Sequence, residues 1–134
     1  VDGSNTYVQD GSQIHNGLEV SLTGNITPEW VVVASGLLLD ATLEETGDPA
    51  QNGKTPVAVP DSRAALLVEY SPKALRGVTF QASGQHTASR FVDSANTAEV
   101  DAYTLLGAGA RYETALRGTP VTLRLNADNL LDER

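Results

Sequence analysis

Apolar and polar residues alternate with a period of two along most of this chain. In Leu18-Glu19-Val20-Ser21-Leu22-Thr23 the alternation is complete. It recurs in 78–85, where Val78, Phe80, Ala82 and Gly84 interleave with Thr79, Gln81, Ser83 and Gln85. It recurs again in 121–128, where Val121, Leu123, Leu125 and Ala127 interleave with Thr122, Arg124, Asn126 and Asp128. Successive side chains of a strand point to opposite faces, so each run predicts a strand with one apolar and one polar face. Three further strands are predicted. Residues 31–43 are apolar on one face and small or mixed on the other; 64–70 alternate if Glu69 shares the polar side with Arg63 just before the run; 100–112 put Arg111 on that side, with Glu113 just after the run. A helix would need a 3.6-residue period, which is missing, while glycine is frequent and β-branched residues concentrate in the alternating runs. The predicted fold class is all-β, an antiparallel meander of about six long strands.

The connections alternate in length. Residues 25–29, 71–77 and 114–120 are short turns rich in Pro, Gly and Asn, whereas 44–60 form a long loop and 93–99 a medium one. In a meander every second connection lies on the same side, so one rim carries tight turns and the other extended loops. Trp30, Tyr70, Phe80 and Tyr112 each fall close to a short turn and are expected to line that rim, with Phe91 and Tyr103 flanking the medium loop at the opposite rim. Short turns on one side, long loops on the other, strands of about ten residues and aromatic girdles are the features of an outer-membrane β-barrel.

A soluble antiparallel sheet alternates too. Strand length separates the two, since soluble strands peak at about 5 to 6 residues, while 31–43, 78–92 and 100–112 are long enough to cross a bilayer at a tilt. The polar face, with Glu19, Arg63, Glu69, Gln81, Gln85, Arg111, Glu113, Arg124 and Asp128, is also too charged for an ordinary core and suits a lumen. A helical span is ruled out, because no stretch of about 18 apolar residues exists. With 17 acidic against 9 scattered basic residues, and a net charge of −8, nucleic acid is not expected as a partner. The chain has no cysteine, so disulfides and thiolate metal sites are excluded.

Several segments resemble the TonB-dependent siderophore receptors. Gln9-Asp10-Gly11 followed by Gly17-Leu18-Glu19-Val20 is similar to one strand motif of that family, and Gly24-Asn25-Ile26-Thr27-Pro28-Glu29-Trp30 is similar to its G-x-[IL]-T-P-x-W turn. Gly36 and Asp40-Ala41 follow at the expected spacing. Val59-Pro60 resembles the step into the next descending strand, and Asn96, Val100 and Tyr103-Thr104-Leu105 resemble an N…V-x-x-Y-T-L segment. Leu125-Asn126-Ala127-Asp128-Asn129-Leu130-Leu131-Asp132 resembles the near-terminal L-N-[VA]-x-N-L-[FL]-D signature. The likeness runs in order over essentially the whole chain. Leu37-Leu38-Leu39 departs from it, standing where the family is rich in aromatics. The resemblance implies that residues 1–134 are the C-terminal portion of a receptor barrel, about six of some 22 strands, with the plug domain, the TonB-contacting N-terminal region and a final strand lying outside it. Six strands leave two open edges, so the chain is expected to hold this arrangement only within the full barrel.

By that resemblance the parent is an outer-membrane receptor for TonB-dependent uptake of a ferric siderophore or similar nutrient, with outer-membrane lipid around it. Neither catalysis nor a cofactor is expected. The loop 44–60 is the leading ligand-side candidate, with Asp48, Asn52 and Lys54, joined by Arg90 beside the medium loop. For any one of these residues an ordinary solvated role is the favoured reading over ligand contact. His15 and His86 fall on different strands with no third ligand at metal spacing. Asp2-Gly3-Ser4-Asn5 lacks the later bidentate Glu of a Ca²⁺ loop. Asn25-Ile26-Thr27, a glycosylation sequon in form, falls in a tight turn, and Asn126 and Asn129 are expected to make strand-end hydrogen bonds. Two other classes are compatible with the alternation: a passive porin-like barrel and a soluble carbohydrate-binding β-sandwich.

Overall fold

The computed structural model describes residues 11–133. Six strands form one antiparallel meander: β1 (Ser12–Thr27), β2 (Trp30–Glu44), β3 (Ser62–Tyr70), β4 (Val78–Thr87), β7 (Tyr103–Leu116) and β8 (Thr119–Ala127), each paired with the next. Two short strands, β5 (Arg90–Phe91) and β6 (Glu99–Val100), make a separate ribbon inside the connection between β4 and β7. The chain at 88–89 leaves the ladder instead of continuing to residue 92, and β7 begins at Tyr103 rather than at residue 100. At the other ends the strands run further than the alternation predicts. Only Pro28-Glu29 separates β1 from β2, and only Arg117-Gly118 separates β7 from β8. Both residues of the second turn have positive φ, 53° and 83°. That is the type I′ geometry whose twist matches a right-twisted hairpin, and glycine at its second position adopts it without strain.

Residues paired across strands share a face, so the register sorts every side chain. Trp30, Tyr70, Phe80, Ala110 and Leu125 form one row. The next row, Val31, Glu69, Gln81, Gly109 and Asn126, points the other way. Continued along the strands, the first face carries Leu18, Val20, Leu22, Val32, Leu38, Leu66, Val68, Ala82, Leu106, Val121 and Leu123. Every residue expected on a polar face within the strands, from Glu19 to Arg124, lies on the second.

The apolar face has no protein layer over it. Leu18, Leu22 and Leu123 are 61%, 62% and 59% exposed, and the only buried hydrophobic residue among those described is Ala41. A soluble sheet buries its apolar face to gain about 25 cal/mol per Å²; here no protein element supplies that burial among the described residues. The face is bounded as a bilayer demands. Near the short turns lie Trp30, Tyr70, Phe80 and Tyr112, with the Trp30 and Tyr70 rings stacked at 4.4 Å between centroids. Toward the loops the row turns polar, with Asn16 opposite Asp40 and His86 opposite Thr104, the last two hydrogen-bonded at 2.9 Å. The ten steps from Trp30 to Asp40, at about 3.3 Å each and a tilt of about 45°, span about 23 Å, close to the roughly 25 Å apolar band of such barrels.

Two expectations change. The second aromatic girdle is not formed by Phe91 and Tyr103. Phe91 lies in the loop ribbon, and Tyr103 pairs with Thr87 in the row of Arg63 and Leu37, on the polar face. Distance from a turn gives a residue's height but not its face, which depends on where the strand begins. The polar face is also more apolar than expected along β2 and β3, where Val31, Val33, Leu37, Leu39 and Leu67 interrupt it.

Glycine at 109 serves the polar face directly. Gln81 and Asn126 flank it on β4 and β8 and join over it, the Gln81 Nε2 donating to Asn126 Oδ1 at 3.0 Å. A Cβ on Gly109 would collide with both side chains. Arg111 and Arg124 stand directly opposite each other, a repulsive pairing that Glu113 and Glu69 offset at 3.2 and 4.0 Å from the Arg111 guanidinium.

The face assignment predicts unequal costs for neighbouring substitutions in the full-length barrel. Val20→Arg, at the middle of the apolar band, is expected to lower folding stability by about 2–4 kcal/mol. Ser21→Arg, one residue on, is expected to cost less than about 1 kcal/mol. Equilibrium unfolding from bilayers measures both, and equal costs would contradict the assignment.

Candidate ligand-facing mouth

Two loops rise at the end opposite the tight turns. The first, residues 45–61, joins β2 to β3, and the second, residues 88–102, joins β4 to β7. Because β3 and β4 are neighbours, the loops leave the sheet side by side; Ala88 N–H donates to Ser62 O at 3.0 Å.

The first loop is built by its own polar side chains. Asp48 precedes a 3-10 turn, Pro49–Gln51, and its carboxylate accepts from the Ala50 N–H at 3.0 Å and the Gln51 Nε2 at 3.3 Å. Asn52 Oδ1 accepts from the Thr46 N–H at 2.9 Å and the Thr46 hydroxyl at 2.8 Å. Asp48 and Asn52 therefore shape the loop, as Asx residues commonly do. Lys54 ties its backbone to Leu43 and Gln51, and its ammonium makes no ion pair among the described residues.

The second loop is folded around Asp93. Its carboxylate accepts from the Thr97 and Ala98 N–H groups, each at 2.9 Å, and from the Thr97 hydroxyl at 2.7 Å. The bonds from Ala98 and Thr97 favour the ionised form and hold the carboxyl below its ordinary value of 3.8. At the floor of this loop the Arg90 guanidinium sits over the Tyr103 ring, 5.8 Å from its centroid. Both line a recess of about 670 Å³ with Glu99, Asp101, Leu105 and Glu133. Of the four candidates from the sequence, Arg90 alone faces this recess; Asp48, Asn52 and Lys54 belong to the neighbouring loop. Tyr103, Asp93 and Asn96 were not singled out as site residues. The Asp93-to-Asn96 spacing was the available signal, since short polar residues at loop tips organise turns.

Other polar candidates resolve into structural roles. His15 lies on the polar face beside Gln13, and His86 on the apolar face, so the sheet separates them. Asn129, at φ 53°, closes a turn through bonds of 3.1 and 3.0 Å with the Glu133 backbone. The Asp2-to-Asn5 segment, and Gln9 and Asp10 of the first motif, lie outside the described residues.

Residues 1–130 match the family model described as TonB dependent receptor-like, beta-barrel. The chain belongs to this family. It is similar to the ferrichrome receptor FcuA of Yersinia enterocolitica, 29% identical over 98% of this chain, and to the ferrichrome outer membrane transporter/phage receptor of Escherichia coli, 33% identical over 98%. It spans 17% and 18% of those two proteins. Among solved structures it resembles BauA, the ferric preacinetobactin receptor of Acinetobacter baumannii, with 32% identity, a TM-score of 0.87, and 96% of this chain and 19% of that one covered. It likewise resembles the siderophore receptor PiuA of the same species, with 31% identity, a TM-score of 0.79, and coverage of 92% and 18%. As a TonB-dependent receptor barrel segment, the chain resides in the bacterial outer membrane.

The lowered carboxyl of Asp93 gives the loop a pH dependence of definite sign. A depressed carboxyl contributes stability that is fully present above its ordinary value of 3.8 and is lost as pH falls below it through the folded value. Amide resonances of Thr97 and Ala98, followed from about pH 6 downward, are expected to titrate with a midpoint below 3.8. A midpoint at or above it would mean the carboxylate does not hold these N–H groups.

Proposed function

We propose that the parent protein is an outer-membrane receptor that captures a ferric siderophore or similar iron chelate at its loop end. It passes the chelate inward through a barrel filled by a plug, driven by TonB. One observation carries the choice of a filled over an open barrel. The interior wall of β2 and β3 presents a patch of Val31, Val33 and Leu67 toward the short turns and, beyond the row of Ser35 and Ala65, Leu37 and Leu39 toward the loops. Leaving such a patch against channel water forgoes about 25 cal/mol per Å² of apolar surface, whereas a packed protein filler covers it. The charged cluster of Glu69, Arg111, Glu113 and Arg124 beside the patch suits the same partner. The Arg111 Nε is buried and finds no hydrogen-bond acceptor in line, although Glu113 lies 3.2 Å away.

The substrate class rests on the relatives, which are named as receptors for ferrichrome and other siderophores. The loops 45–61 and 88–102 are the part of the mouth that this segment supplies, with Arg90 and Tyr103 as the side chains best placed to meet ligand and Lys54 as a further cation. Iron here is cargo within its chelate. No catalytic step is involved.

Uptake of radio-iron chelates tests the reading, in cells whose own ferric-siderophore receptors are deleted and which carry the full-length protein. Import is expected that disappears when TonB is removed. Import that persists without TonB, or a large steady conductance of the purified protein in planar bilayers, would favour the open porin and overturn the proposal.

A further inference from the structure

The two loops are joined to each other, and one side chain makes most of the join. Asn96 Oδ1 accepts from the Thr55 N–H at 2.8 Å, while Asn96 Nδ2 donates to the Thr55 carbonyl at 2.9 Å. A single amide side chain thus reads both polar groups of one residue's backbone, as a paired strand would, across 41 positions of sequence. A third bond lies beside it, from the Ala58 N–H to the Phe91 carbonyl at 2.9 Å. Ala58 holds a left-handed φ of 65° and Asn96 one of 56°. An alanine does not adopt that conformation without support, so the segment that meets the second loop is held there by the contact. Pro56 and Pro60 are buried on either side.

We infer that Asn96 is a positioning residue that makes loops 45–61 and 88–102 a single body, so that ligand contact with either loop orders both. This rests on the reading that ligand enters at the loop end. The internal braces differ from the join: Asp93 folds the second loop on itself, and Asp48 and Asn52 fold the first on itself. Asn96 also bonds the Asp93 carbonyl at 3.4 Å, which seats it on the Asp93 turn. Arg90 and Tyr103, at the foot of the second loop, therefore sit at a fixed place relative to Lys54 in the first. A chelate touching Arg90 would be felt at residues 45–61 without touching them.

Asn96→Gly separates the join from the backbone, because glycine keeps the positive φ and loses only the amide. Amide exchange in the full-length receptor is expected to rise about tenfold or more in both loops together, including at Ala50 and Gln51, while the strands keep their protection. Asn96→Asp retains the acceptor for the Thr55 N–H and is expected to fall between. A rise confined to 88–102, with 45–61 unchanged, would overturn the inference. Titration with a neutral ferric trihydroxamate, the probe for the mouth, is expected to protect both loops in the wild type and to bind about tenfold more weakly to Asn96→Gly. If the wild type binds no iron chelate, the receptor reading fails, and the ligand-free exchange data alone decide the coupling. If protection by the probe stays within one loop, the coupling fails although the receptor reading stands.

Discussion

In hydrocarbon a backbone N–H or C=O has no water to bond, and an unpaired group there costs several kcal/mol. Everything in this segment follows from satisfying that demand between neighbouring strands while turning every second side chain toward lipid. The ladder runs through β1, β2, β3, β4, β7 and β8, each paired with the next, and its two-residue period lets one set of residues, Leu18, Val20, Val68, Ala82 and Leu123 among them, share one face. Side-chain packing of the kind that holds a soluble domain is nearly lacking among the described residues, and the backbone ladder between neighbouring strands carries the sheet.

The interior face follows a different rule. It tolerates charge because Arg111 is flanked by Glu69 and Glu113, and it allows bonds to cross a strand because Gly109 leaves room for Gln81 to reach Asn126. Beyond the membrane the ladder ends and the backbone must find other partners. Asp48, Asn52, Asp93 and Asn96 supply them, each using a short polar side chain to hold N–H groups that no strand can hold. The loops are ordered by the same accounting that orders the sheet.

The strands and their faces were legible in the sequence because alternation is local: Glu19, Arg63, Glu69, Gln81, Gln85, Arg111, Glu113 and Arg124 all share the face their phase implies. The tight turns were legible from Pro, Gly and Asn. Tyr103 was misplaced because nearness to a loop gives only its height; its face follows from its even spacing to Arg111 along β7, which puts both on the polar side. The apolar interior of β2 was only half visible, since a residue such as Leu37 does not announce which side its partner lies on. The mouth was least legible. Asp48 and Asn52 stand out as loop polar residues, yet their side chains are occupied locally, whereas the partners of Asn96 are 41 residues away in the other loop, a distance at which composition carries no signal.

The assignment of faces is the claim on which lipid contact, interior filling and the placement of the mouth all rest. Nitroxide labels placed one at a time at residues 104–112 of β7, in the full-length protein in bilayers, test it most directly. Collisions with oxygen, which concentrates in lipid, should peak at 104, 106, 108, 110 and 112 and fall at 105, 107, 109 and 111. A flat profile, or one shifted by a single residue, would contradict the account.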